Sequence, residues 1–204
     1  MGLDLYEINI PRQYLPLYQA GIVYLFPQRT SEPLEEKDVA PSGCGLGNQN
    51  KGPAENYPPP WSFLWKNLWP PYTMVWTYWQ LAQDIGPAPN RERTQLIKTI
   101  LAKLCWPKGS VAFWPISSFD GHRHIPDQDM FWSGVQKLHA QIVVVFGRTA
   151  FHALFPDNDP CFGFTTTPDK LQIVHVPGPD DMLPDNREMK NLAWNMLCPL
   201  VPGR

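Results

Sequence analysis

A chain of 204 residues with 43% hydrophobic and 18% charged side chains is long enough for one substantial globular domain and too apolar to be a disordered one. Its formal net charge of −2 argues against a dedicated nucleic-acid binder driven by a basic face. No apolar run reaches the about 20 residues that a membrane span requires, and no secretory signal is recognisable, so a cytoplasmic location without membrane contact is expected.

Four cysteines, Cys44, Cys105, Cys161 and Cys198, lie far apart with no CxxC pair and are expected as reduced thiols. The 24 prolines imply rigid extended connections, and the 9 tryptophans demand a large core or a contact surface.

Residues 22–26, in GIVYLFP, read as a short strand closed by Pro27. From 28 to 60 the chain collects charges, glycines and prolines without apolar periodicity, the pattern of a long loop. The GCGLGNQNKG segment at 43–52 lacks the flanking strand and helix, and the Ser or Thr after Lys51, that a phosphate-binding loop requires. Trp61, Trp65 and Trp69 recur every four residues behind Pro58–Pro60, which predicts a short amphipathic helix stopped by Pro70 and Pro71. Its aromatic stripe is expected to pack on the domain, with a partner groove as the other use.

Thr73–Trp79 reads as a strand and 80–89 as a polar loop. Asn90 caps a helix whose inner face carries Leu96, Ile97, Ile100, Leu101 and Leu104. Val111–Trp114 follows as a strand, completing a βαβ unit, and 117–126 reads as a loop. A second helix, 129–139, leads into Ile142–Phe146, a continuous apolar run suited to a strand buried on both faces of a parallel sheet. Gly147 breaks that run, and 148–155 reads as helix. After a loop at 156–169, a fourth strand is predicted at 171–174. A last helix spans about 186–197, with Asp185 and Glu188 at capping-box spacing. Four strands alternating with helices predict a three-layer α/β sandwich.

If the strands are parallel, their carboxyl ends bring polar groups to one edge, where open α/β sheets place their sites. These are Gln83 and Asp84 after the first strand, and Ser117, Ser118 and Asp120 after the second. Arg148 and Thr149 follow the third, with His175 and Asp180 at the fourth. A carboxylate and a histidine there, Asp84 and His175, are a candidate acid–base pair, although loop ends are polar in any protein. His122 and His124 form an HxH that could share a metal with His175 or Asp120; spacing fixes no further ligand, and a solvated loop is the plainer reading. Neither Ser117 nor Ser118 stands in a GxSxG turn. No metal or other cofactor is expected.

Two segments carry a family resemblance. A helix followed by IVVVFGRTAFHALF, and VHVPGPDDML followed by a helix ending AWNML, resemble the third strand and the last strand with its histidine loop in the uracil-DNA glycosylase-like superfamily. The resemblance covers roughly the last two thirds of the chain. It implies a four-stranded parallel sheet between helices, at 72–204, with 1–71 as a Pro- and Trp-rich N-terminal extension packed on that core and partly loop.

In active members a segment such as Gly-Gln-Asp-Pro-Tyr carries a water-activating carboxylate; the nearest match is Ala82-Gln83-Asp84-Ile85-Gly86, without the leading Gly and the Pro. The amide that reads uracil has no counterpart in FWPISSFDG. His175 matches the histidine that stabilises the departing base, but Val176 replaces the Pro that follows it. Gln83, Ser117, Ser118, Arg148 and Thr149 are the expected substrate contacts.

The same fold occurs in the psi subunit of the bacterial clamp-loader assembly, which acts through protein contacts. The sequence is therefore expected to encode a divergent, non-catalytic or altered accessory of DNA repair or replication, with DNA or a protein of that machinery as partner. The alternative is an active glycosylase using Asp84 and His175, and a more remote one is an unrelated α/β enzyme with the same layout. Clustering of Arg91, Arg93, Lys98, Lys103, Lys108, Arg123, Arg148 and Lys170 at the carboxyl edge would favour DNA, and scattering a protein partner.

Overall fold

The computed structural model describes residues 57–200. The expected strand at 22–26, the glycine-rich segment at 43–52, Cys44 and most of the N-terminal extension lie outside the described residues.

Five strands form one sheet in the order β2-β1-β5-β7-β6. They are β1 (Met74–Tyr78), β2 (Val111–Phe113), β5 (Ile142–Phe146), β6 (Gly163–Thr166) and β7 (Gln172–Val176). The first four in that order are mutually parallel and β6 runs antiparallel to β7. The architecture is α/β with a mixed, mostly parallel sheet. The expectation of four parallel strands is corrected by β6, an exposed edge strand with the sequence GFTT. Two further short strands, β3 (Ser117–Phe119) and β4 (His124–Pro126), make a hairpin where a loop was expected. A four-residue helix, α2 (Leu81–Asp84), lies inside the expected polar loop after β1.

The connections explain which face each helix covers. From β1 the chain moves outward to β2 through α3 (Arg91–Leu104), then reverses across β1 to β5 through α4 (Gln128–Lys137). Right-handed crossovers in opposite directions put their helices on opposite faces. One core accordingly joins Ile97 of α3 and Ala193, Met196 and Leu197 of α7 (Arg187–Leu197) to Met74, Trp76, Val144, Phe146, Val174 and Val176. The other joins Trp61 and Leu64 of α1 (Trp61–Trp65), Phe131 and Val135 of α4, and Phe151 and Leu154 of α5 (Arg148–Leu154) to Val75, Val143, Val145 and Ile173. Alternate residues of β1, β2, β5 and β7 therefore feed alternate cores, and the central β5 has no solvent face.

Helix α1 stops at Trp65, one turn before Trp69, which lies outside it and is 72% exposed. Trp61 anchors the helix by donating its indole N–H to the Pro115 carbonyl at 2.8 Å. Asn90 caps α3 as expected, accepting the Arg93 N–H at 3.0 Å. At α7 the cap is Asn186, which accepts the Met189 N–H at 3.2 Å, in place of the expected Asp185. Cys105, Cys161 and Cys198 are exposed free thiols. Among the described residues no helix is long and apolar enough to cross a membrane.

Candidate functional site

The order β2-β1-β5-β7 makes the gap between β1 and β5 the point where successive connections diverge, and ligands of open α/β sheets bind outside the carboxyl ends of strands at such a point. The segments bordering that gap are Trp79–Asp84, after β1, and Gly147–Thr149, after β5. Gly147 has φ of +88° and gives its N–H to the Val176 carbonyl at 2.8 Å. A Cβ on Gly147 would lie 3.2 Å from the Gly178 Cα, so the backbones after β5 and β7 cross closely only because both residues lack side chains.

Asp84 ends α2 and is withdrawn from solvent, with a side chain 1% exposed. Its Oδ2 accepts from Tyr78 Oη at 3.0 Å and Arg93 Nε at 2.8 Å. Its Oδ1 accepts from the Asn90 N–H and Arg93 Nη2, both at 2.9 Å. Both oxygens are thus shared between a guanidinium fork and two further donors, a geometry that fixes a carboxylate in place. Arg93 Nη2 also reaches Gln83 Oε1 at 3.3 Å, and Nη1 reaches the more exposed Asp180 at 3.4 Å. Gln80 donates to the same Asp180 carboxylate. Burial disfavours the Arg93 charge, but Asp84 and Asp180 outweigh it and raise the guanidinium above its ordinary value. This network ties α2, α3 and α6 (Pro179–Met182) together over the end of β1.

His175 occupies the other side of the sheet. It stands in register with Val145 and, through it, with Thr77. Its ring stacks on Phe151 with centroids 4.2 Å apart and leans on Phe162 at 4.8 Å. Nδ1 meets the Cys161 carbonyl at 2.9 Å; a carbonyl can only accept, so this nitrogen carries the proton. Nε2 is buried without a hydrogen-bond partner, as is the Thr77 hydroxyl. Burial pushes the imidazole below its usual value, aided by the Arg148 charge and opposed by the Cys161 and Gly147 carbonyls and Asp181. The neutral ring then presents a lone pair at Nε2.

The remaining expected site residues divide. Arg148 is exposed and lies over the Phe162 ring at 5.4 Å, while Thr149 is exposed beside it. Ser117 is buried and donates to the Trp79 carbonyl at 3.2 Å, with His124 Nδ1 at 3.4 Å; Ser118 is half-buried on β3. Burial first, and then the Arg93 charge, lower the His124 pKa against the opposing Asp84 and Asp120 carboxylates. Asp120 closes the hairpin turn, accepting from the backbone N–H groups of His122 and Arg123, both at 2.9 Å. Among the described residues no three His, Cys, Asp or Glu side chains are grouped to hold a metal.

Asp84 and His175 therefore serve different partners. The aspartate belongs to Tyr78 and Arg93, with Tyr78 on the Trp76 face, and the histidine belongs to Phe151 on the Val145 face. Sequence reasoning missed the roles of Tyr78, Arg93, Phe151 and Phe162, and that the Asn90 N–H also binds Asp84. The available signal was the Asn90 cap, which fixes Arg93 in the first turn of a helix that begins close behind Asp84.

No protein-family model and no curated protein matches this sequence.

Proposed function

We propose that this chain is a divergent uracil-DNA glycosylase-like protein that serves DNA replication or repair as a binding accessory and does not excise bases. The observation that carries this reading is the saturation of Asp84, whose two oxygens take four hydrogen bonds from Tyr78, Asn90 and Arg93. A carboxylate that activates water needs an oxygen directed at that water, and withdrawing Asp84 from Arg93 would leave a buried cation without its main partner.

His175 adds support. A neutral ring protonated at Nδ1 offers Nε2 as an acceptor, whereas charge on a departing base needs a donor. The basic residues point to a protein partner over DNA. Arg93 is neutralised by Asp84 and Asp180, and Arg123 pairs with Asp120 at 3.3 Å. Lys108 and Lys170 precede β2 and β7 and so belong to the opposite, amino edge, and the exposed cations Arg91, at the start of α3, and Arg148, after β5, are too few to make a basic face at the carboxyl edge.

One observation favours the competing glycosylase reading: the partnerless, buried Nε2 of His175 at the carboxyl edge, which a ligand could satisfy. The deciding experiment incubates the protein with labelled single- and double-stranded DNA containing uracil, hypoxanthine or mismatched thymine at low salt. The expected result is no abasic product and no salt-sensitive binding. Abasic sites made by the wild type and lost in His175→Ala would overturn the proposal.

A further inference from the structure

We infer that the outer edge of β6 is a docking site for an extended peptide segment of another protein, uncharged along its pairing residues and basic at the end that meets Asp157 and Asp159. This deepens the accessory role proposed above and rests on it for the identity of the partner as a protein.

The register of β6 on β7 settles which backbone groups face outward. The Thr167 N–H donates to the Leu171 carbonyl at 2.9 Å, and the same antiparallel register pairs Thr165 with Ile173 and Gly163 with His175. Hydrogen-bonded and non-bonded pairs alternate along an antiparallel ladder. Gly163 and Thr165 therefore spend their N–H and C=O on β7, while those of Phe164 and Thr166 point away from the sheet. Among the described residues no strand lies beyond β6.

Exposed edges are normally guarded by shortness, a lysine, a proline or a bulge. β6 has only the first, at four residues: between Pro160 and Pro168, residues 161–167 read CFGFTTT. Phe164 is 50% exposed and shares the face of its partner Val174, so an incoming strand would find an apolar side chain there.

The small size of the edge argues against a second copy as its occupant. Four strand residues bury on the order of a few hundred Å², well short of the roughly 1,200–2,000 Å² of a stable protein pair. Strand addition by a peptide draws instead on main-chain hydrogen bonds, with specificity from alternate side chains. Asp157 and Asp159, both exposed, precede β6, while Asp169 and Lys170 after it offset each other; with the one nearby cation, Arg148, lying over Phe162, the acidic end favours a peptide that is basic where it meets Asp157 and Asp159.

The test uses the full-length protein, labelled with nitrogen-15, and the blocked peptide KTVTVTK as probe. Saturable shifts are expected, with slowed amide exchange at Phe164 and Thr166 and no change in protection at Gly163 and Thr165. Thr166→Pro removes only an outward-facing N–H, a position where an edge strand accepts proline. It is expected to fold normally and to lose binding, and the acid-ended peptide DTVTVTD is expected to bind more weakly than the probe.

Unchanged binding by a folded Thr166→Pro protein, or no saturable shift at millimolar peptide, would overturn the inference. So would a concentration-dependent dimer in sedimentation that Thr166→Pro abolishes, because a second copy would then own the edge. Failure of the accessory reading is separately visible: it appears as abasic product on DNA, whatever β6 does.

Discussion

The Asp84–Arg93 pair makes the sharpest prediction, because it separates a structural carboxylate from one held ready for chemistry. Arg93→Ala removes two charge-assisted bonds and leaves Asp84, with its side chain 1% exposed, to Tyr78 and Asn90 alone. Removing one partner of a buried pair costs about 3–5 kcal/mol, a large share of the roughly 5–15 kcal/mol that holds a domain together. Asp84→Asn strands the Arg93 guanidinium instead, with Asp180 its sole carboxylate at 3.4 Å and that group 53% exposed; the expected loss falls in the same range.

The double variant Asp84→Asn/Arg93→Ala has no charge left to strand, so its cost should fall at least about 2 kcal/mol short of the summed single costs, within the coupling seen for contacting residues. Urea unfolding followed by far-ultraviolet circular dichroism measures all three. Single costs below about 1 kcal/mol that simply add would mean that water already serves the pair. Asp84 would then be available for chemistry and the case for a binding role would lose its main support.

Two further outcomes follow from the same packing. Gly134→Ala would normally gain about 1 kcal/mol of helix propensity, but its Cβ would sit 2.0 Å from Nε1 of the buried Trp114. Overpacking at about 1–3 kcal/mol, with strain on the 3.3 Å bond from that indole to the Met130 carbonyl, should make the variant less stable and alter its near-ultraviolet dichroism. Acidification should also destabilise the protein. His175 and His124 both titrate below the ordinary histidine value of 6.5, so the unfolded chain binds protons first and stability is full above that pH. It declines as pH falls from 6.5 toward the folded values, and a urea midpoint that stays flat in that window in wild type would contradict the assignment of a buried neutral His175.

The parts of the fold legible in the sequence are those where burial dictates residue type along a whole element. β5 runs over the predicted Ile142–Phe146 because a strand covered on both faces has no reason to include a polar residue. α3 begins at the predicted place because Asn90 is both a cap and the end of a proline-rich link. β6 stayed hidden because an edge strand with one inner partner and mostly exposed residues shows no apolar run, and its flanking prolines look like loop. The hairpin β3–β4 and helix α2 are three and four residues long, shorter than any periodicity can register.

The site was half legible for a related reason. Position along a strand predicts which edge a residue reaches, and Gln83, Ser117, Arg148 and His175 do follow or end strands that run toward one edge. Position does not predict what a side chain spends its hydrogen bonds on once it arrives. Asp84 lies six residues after a tyrosine and nine before an arginine, separations with no helical or strand period, and the link between them bends back only because α2 ends there and α3 starts at Asn90. That turn returns Arg93 to the carboxylate. The layout of a ligand-binding sheet, with its divergence point between β1 and β5, therefore coexists with a carboxylate committed to holding α2, α3 and α6 in place. Restoring an unpaired carboxylate would need more than changing Arg93, since Tyr78 and the Asn90 N–H would still hold both oxygens.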